Sequence, residues 1–167
     1  NLVERIDKPL ILDADGLFPF SNNLDPLNNR EFPLIITPHF GELSRLIGIR
    51  TDLIISDFPS IMTNVMRTFQ KTILAKQVPV CVLEGEKATV NISGNPGLAT
   101  AGTGDVLSGI ISGLCAKGMS SFDAASIGAF VHGKASDLVV AESGYRGQIA
   151  SDLLAKIPDV LKQYERA

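Results

Sequence analysis

An α/β domain built on a mostly parallel sheet, covered on both faces, is what the amino-acid sequence predicts. Three features carry that prediction. Short, uniformly apolar runs of the kind buried on both faces recur at Leu10–Leu12, Leu34–Ile36 and residues 79–83. Stretches of helical periodicity separate them. A late strand pair and a closing run of helices fit a sheet that finishes in a helical layer.

The elements follow in order. Leu10–Leu12 hands over to the polar Asp13-Ala14-Asp15-Gly16, a strand entering a loop. Residues 21–31, rich in Asn, Asp and Pro, read as a loop or a short frayed helix. Leu34–Ile36 is a second strand, stopped by Thr37-Pro38 because proline has no N–H for the ladder. Glu42, Leu43, Leu46 and Ile47 have helical spacing, with Gly48 as the C-cap. Ile61, Val65, Phe69, Ile73 and Leu74 predict one amphipathic helix over residues 60–77, capped by Asp57 or Ser60. Residues 79–83 form the third buried strand. Gly85-Glu86 turns into residues 88–92, where Ala88, Val90 and Ile92 are expected to make the buried face of a hairpin. From Asp105 the pattern Val106, Leu107, Ile110, Ile111 and Leu114 is helical, and Gly109 and Gly113 are expected to let this helix approach a neighbour closely. Helices follow over residues 122–142 and 151–164.

Composition narrows the function. The 167 residues, 45% hydrophobic and 20% charged, suit one globular domain with a sizeable core. A net charge of -3 argues against a nucleic-acid or membrane-surface binder, which needs a basic face. Small molecules are the expected partners. Cys81 and Cys115 lie in apolar runs without metal-ligand spacing, and read as reduced core thiols of a cytoplasmic protein. The chain enters a strand almost at once from Asn1, so residues 1–167 are expected to be the C-terminal portion of a single domain, incomplete on its N-terminal side. A homo-oligomer is compatible with the sequence but not specified by it.

The densest chemistry lies in Asn95-Pro96-Gly97-Leu98-Ala99-Thr100-Ala101-Gly102-Thr103-Gly104-Asp105, which opens a helix. Glycines without Cβ let main-chain amides reach an anion, and a helix N-terminus offers unpaired donors and the positive end of the dipole. Asp105 is placed there to act as a base on whatever the loop holds. Read alone, the same residues make a glycine-rich turn with Asp105 as an ordinary cap.

The longer stretch from Asn95 through Val106-Leu107-Ser108-Gly109 resembles the signature of the NAD(P)H-hydrate dehydratase family, in the ribokinase-like superfamily. Leu12-Asp13-Ala14-Asp15-Gly16-Leu17, Thr37-Pro38-His39-Phe40-Gly41-Glu42, and Val131-His132-Gly133-Lys134-Ala135 with Ala150-Ser151-Asp152-Leu153-Leu154 are similar to three further motifs of that family, in the same order. The resemblance implies a three-layer αβα ribokinase-like fold and an enzyme that repairs hydrated NADH or NADPH. ADP or ATP would phosphorylate the C6 hydroxyl of the damaged ring, and loss of phosphate would restore the reduced cofactor. Asp105 would be the catalytic base and touch substrate, and His39 would contact the hydrated dinucleotide. Gly102, Thr103 and Gly104 would hold the nucleotide, and Mg2+ would meet Glu42 through water.

Each assignment has a plainer counterpart. His39 could be a loop histidine bonded to main chain, and Glu42 a first-turn acid. Asp13 and Asp15 either face a ligand at a strand's C-terminal end or cap the following turn. His132, mid-helix among apolar neighbours, reads as a satisfied core residue. The family pattern places Lys-Gly after a strand, the lysine facing nucleotide phosphate. After Val80-Cys81-Val82-Leu83 this chain has Glu84, then Gly85-Glu86-Lys87. Gly85 and Lys87 are therefore the nucleotide-site candidates here, with Lys87 the cation that could compensate. The rival readings are a hydroxyethylthiazole-type kinase using the same loop and base, and a non-catalytic nucleotide-binding module.

Overall fold

The computed structural model describes residues 2–165. A short helix, α1 (Leu2–Arg5), precedes β1 (Leu10–Leu12), a 3-10 turn (Ala14–Phe20), α2 (Asp25–Asn28) and β2 (Leu34–Ile36). Three helices, α3 (Phe40–Ile47), α4 (Thr51–Ser56) and α5 (Phe58–Thr68), lead to β3 (Thr72–Ala75). The hairpin β4 (Val80–Glu84) and β5 (Lys87–Asn91) is followed by α6 (Thr103–Ala116), α7 (Ser121–Ser143) and α8 (Ala150–Lys162). The sheet order is β1-β2-β3-β4-β5; β1, β2 and β3 are parallel, and β4 and β5 run antiparallel to their neighbours.

Alternation along the strands divides the core. Leu34, Ile36 and Ile73 face the layer of α3, α4 and α5, packing with Leu43, Leu46, Ile54, Met62 and Phe69. Ile35, Leu74 and Val82 face the other way, onto Leu107, Ile111, Ala124, Ala125 and Ala129. A further cluster of Val106, Val131, Ala135, Leu153 and Val160 holds α6, α7 and α8 together. The predicted α/β class and the coverage of both faces are present.

Three expectations need correction. The helix expected over residues 60–77 ends at Thr68, and Thr72–Ala75 is a strand with all four residues buried. Phe69 turns the backbone extended (φ -98, ψ 109), and a short, mostly apolar run buried on both faces satisfies helical and strand spacing alike. The strand expected at 79–83 is present as β4, running antiparallel to β3. The hairpin's expected face is inverted: Asn91 is buried, whereas Val90 is exposed and Ile92 is 90% exposed. Asn91 Nδ2 donates to the Ala129 carbonyl of α7 (3.1 Å), so burial costs it no hydrogen bond. Val90 instead lines an open groove of about 880 Å3 with Phe58, Met62, Met66 and Leu83.

The glycine expectation also fails. A Cβ on Gly109 or Gly113 would meet nothing within 4 Å, because both lie on the exposed face of α6. The close approach is made by Gly128 of α7, where a Cβ would fall 2.6 Å from Ile111 Cγ1. Ile111 is fully buried against it. Ile111→Ala is expected to cost about 2–5 kcal/mol in urea unfolding, since α6 cannot close the void without breaking its contacts with the sheet.

Candidate functional site

Parallel strands that end side by side place their next residues at one edge of the sheet, where ligands of α/β folds bind. Here those residues are Asp13 after β1, the Thr37-Pro38-His39 segment after β2 and Lys76 after β3. The Lys76 amide donates to the Pro38 carbonyl (2.8 Å), extending the β2–β3 pairing to the His39–Lys76 bridge.

Lys76 sits at the centre. Its ammonium is 2.5 Å from Asp13 Oδ1 and 3.9 Å from Glu42 Oε2, with all three side chains mostly shielded from solvent. Asp13 also caps the 3-10 turn by accepting from the Ala14 amide (2.9 Å), so cap and strand-end roles coexist. Asp15 is exposed in that turn. His39 caps α3: Nδ1 accepts from the amides of Gly41 (3.0 Å) and Glu42 (3.2 Å), while Glu42 Oε2 accepts from the His39 amide (2.8 Å). His39 Nε2 lies 3.3 Å from Glu42 Oε1. The ring is therefore oriented by a capping box, with 56% of the side chain open to solvent.

Against this edge comes the start of α6. Gly102, its N-cap, has φ 85, a left-handed conformation that favours glycine. A Cβ on Gly104 would lie 3.3 Å from Asp13 Oδ2 and 3.9 Å from Lys76 Nζ, so glycine permits this approach. Among the described residues the amides of Gly102 and Gly104 have no main-chain partner. Asp105, in the first turn, is exposed, and its carboxylate makes no hydrogen bond or ion pair among the described residues. The edge thus brings together free amide donors, one cation and an uncommitted carboxylate.

Thr103 has a different part. Its buried hydroxyl donates toward the Leu98 and Thr100 carbonyls (2.7 and 2.9 Å), holding the loop. Its carbonyl lies 2.9 Å from His132 Nε2. Burial pushes the His132 imidazole down to about 4 from its usual 6.5, partly offset by that bond to the Thr103 carbonyl. The folded base thus resists a proton that the unfolded chain accepts near pH 6.5. Its stabilising contribution is full above that pH and lost as pH falls towards 4, by about 3 kcal/mol. His132→Gln is expected to flatten the fall in urea-unfolding free energy between pH 6.5 and 4.

Gly85 and Lys87 are not brought to this edge. Because β4 is antiparallel to β3, Glu84 and the hairpin turn lie at the opposite end of the sheet, where the Thr72 hydroxyl bonds to Glu84 Oε2. The Lys87 ammonium stands 5.6 Å from the centre of the Phe122 ring, at the start of α7. The fourteen-residue α6 spans about 21 Å between the two ends. Glu84 therefore lies away from the start of α6. Reading β3 as helix hid its strand end, and Lys76, missed in the sequence, is the cation that stands there. The signal that could have found it is Thr72-Ile73-Leu74-Ala75, bounded by Gln70-Lys71 and Lys76-Gln77. The carboxylate-rich edge is not a metal cage: no group of three His, Cys, Asp or Glu among the described residues could hold a metal. No helix among them is long and apolar enough to cross a membrane.

A model of the NAD(P)H-hydrate dehydratase family matches residues 1–159. The chain is 38% identical over 166 residues to the bifunctional NAD(P)H-hydrate repair enzyme of Moorella thermoacetica, covering 99% of this chain and 31% of that protein. It is 40% identical over 157 residues to the ADP-dependent (S)-NAD(P)H-hydrate dehydratase of Neisseria meningitidis serogroup B, covering 92% of this chain and 52% of that one. The chain thus spans about a third to a half of the length of these relatives. The structure of the ADP/ATP-dependent NAD(P)H-hydrate dehydratase of Bacillus subtilis, co-crystallized with ATP/Mg2+ and soaked with CoA, superposes with a TM-score of 0.87 at 29% identity, over 98% of this chain and 59% of that chain. The α/β architecture is the ribokinase-like one. With the match running over nearly all of its residues, the chain belongs to the NAD(P)H-hydrate dehydratase family.

Proposed function

We propose that the chain is the C-terminal portion of a single ribokinase-like domain that repairs hydrated NADH or NADPH at the expense of ADP or ATP. The observation that carries this reading is the meeting of α6's first turn with the Asp13–Lys76 pair, where a Cβ on Gly104 would crowd the Asp13 carboxylate. Free amides of Gly102 and Gly104 and the Lys76 ammonium would bind the terminal phosphoryl group, whose charge spreads over its oxygens during transfer. Asp105 would accept the C6 hydroxyl proton as that oxygen attacks phosphorus and the shortened nucleotide leaves. Phosphate would then depart with the C6–O bond electrons, and loss of the C5 proton would restore the ring double bond.

His39, held by its capping box with an open ring edge, would face the hydrated dinucleotide. Both Glu42 oxygens are engaged by His39, which suits a contact with Mg2+ through water rather than direct ligation. The ion would travel on the nucleotide phosphates, as Mg2+ does where protein supplies few ligands. The test is incubation of the intact protein with hydrated NADH, Mg2+ and ATP or ADP. Recovery of the reduced nicotinamide's near-ultraviolet absorbance is expected with at least one nucleotide. Consumption of a thiazole alcohol without such recovery would favour the kinase reading. Absence of both reactions, with Mg-nucleotide still bound, would favour a binding module.

A further inference from the structure

One face of α7 holds the segment joining β5 to α6 at successive points. The Ala129 carbonyl accepts from Asn91 Nδ2 (3.1 Å), and the Phe130 carbonyl from Ser93 Oγ (3.1 Å). Gly133 lies directly beneath Ser93, and a Cβ there would fall 2.7 Å from the Ser93 carbonyl. One turn further, Asp137 accepts at both oxygens: Oδ2 from the Gly94 amide (3.1 Å) and Oδ1 from Asn95 Nδ2 (3.0 Å). Asn95 Oδ1 in turn accepts from the Gly97 amide (3.0 Å). Gln148, paired with Ser136, closes on Gly97 from the other side. His132 then takes the Thr103 carbonyl.

We infer that Asp137 is a positioning residue for the reaction, acting through Asn95 to set where the loop delivers the Gly102 and Gly104 amides. The inference rests on the phosphoryl-transfer reading above. Its physical content is a directional chain of bonds. Asp137 must accept twice, and Asn95 must donate to it while accepting from Gly97. An asparagine at 137 presents its NH2 either to the Gly94 amide or to Asn95 Nδ2, so one donor faces another. Turning Asn95 over to meet it moves the conflict to the Gly97 amide. The exchange of both residues restores every bond: Asn at 137 accepts from Gly94 and donates to Asp at 95, which accepts from Gly97. None of these atoms touches the proposed reactants, yet small misplacement of preorganised donors costs up to about a hundredfold in rate.

The experiment compares Asp137→Asn, Asn95→Asp and the double exchange in the intact protein. Turnover of hydrated NADH with Mg-ATP and amide hydrogen exchange over residues 94–105 are the two readouts. Each single change is expected to lower kcat about tenfold to a hundredfold, to leave KM for the hydrated dinucleotide within about twofold, and to speed exchange at Gly94 and Gly97. The double exchange is expected to recover both kcat and protection to within about threefold. Single variants with unchanged kcat and protection overturn the inference, as does a double exchange no better than the worse single. A wild type without turnover would sink the proposed reaction instead, and the exchange readout would still decide whether Asp137 sets the loop.

Discussion

Asp105→Asn is expected to reduce turnover of hydrated NADH by about 10²- to 10⁴-fold, the usual range for loss of a positioned general base. The amide has nearly the carboxylate's shape but cannot take the hydroxyl proton. Asp105 is exposed and unpaired among the described residues, so the change orphans no buried group and leaves the loop's bonds intact. Loss of a negative charge in the first turn of α6 costs at most about 1 kcal/mol through the helix dipole. Thermal unfolding should therefore barely move, and Mg-nucleotide affinity should hold or improve as a carboxylate leaves the phosphate's vicinity. Retention of more than about a tenth of wild-type kcat would assign the proton to another group.

Lys76→Met should act on both stability and nucleotide binding, and the two effects can be separated. Asp13 and Glu42, 19% and 12% exposed, lose their shared cation. Leaving poorly solvated carboxylates uncompensated is costly, but residual solvent screening discounts the penalty to about 1–3 kcal/mol. Mg-ATP affinity is expected to fall at least about tenfold, the scale of one charge-assisted contact to phosphate. Adding Asp13→Asn removes the orphaned charge. The double variant should recover much of the urea-unfolding free energy and none of the lost affinity. Titration calorimetry showing wild-type nucleotide binding by Lys76→Met would remove Lys76 from the site.

How much of this was legible in the sequence depended on whether the decisive interaction was local. Strands β1 and β2, the helix starting near Asp105 and the Gly48 cap could be read because each is dictated by residues within a few positions. The glycine-rich helix start at Gly102 and Gly104 follows from the same local logic. Strand β3 was not legible, since Ile73 and Leu74 continue the spacing of the preceding helix, and only burial between β2 and β4 makes them a strand. That single misreading carried the candidate cation from Lys76 to Lys87. The hairpin was found but its buried face was misread for a related reason: alternation marks two faces, but an α7 carbonyl decides that polar Asn91 goes inside. Asp137 lies 42 residues from its partner Asn95, a distance no local pattern spans.

The two sides of the sheet pack separate cores, one around α3, α4 and α5, the other around α6 and α7. His39 and Glu42 ride on the first, and Gly104 and Asp105 on the second. The pieces that would grip the two ends of the proposed reacting pair are thus mounted like jaws on different anvils, meeting at the seam marked by Asp13 and Lys76. A volume change in one hydrophobic compartment can open or close the gap while leaving every residue in it unaltered, so distant repacking offers this molecule a way to retune its reach.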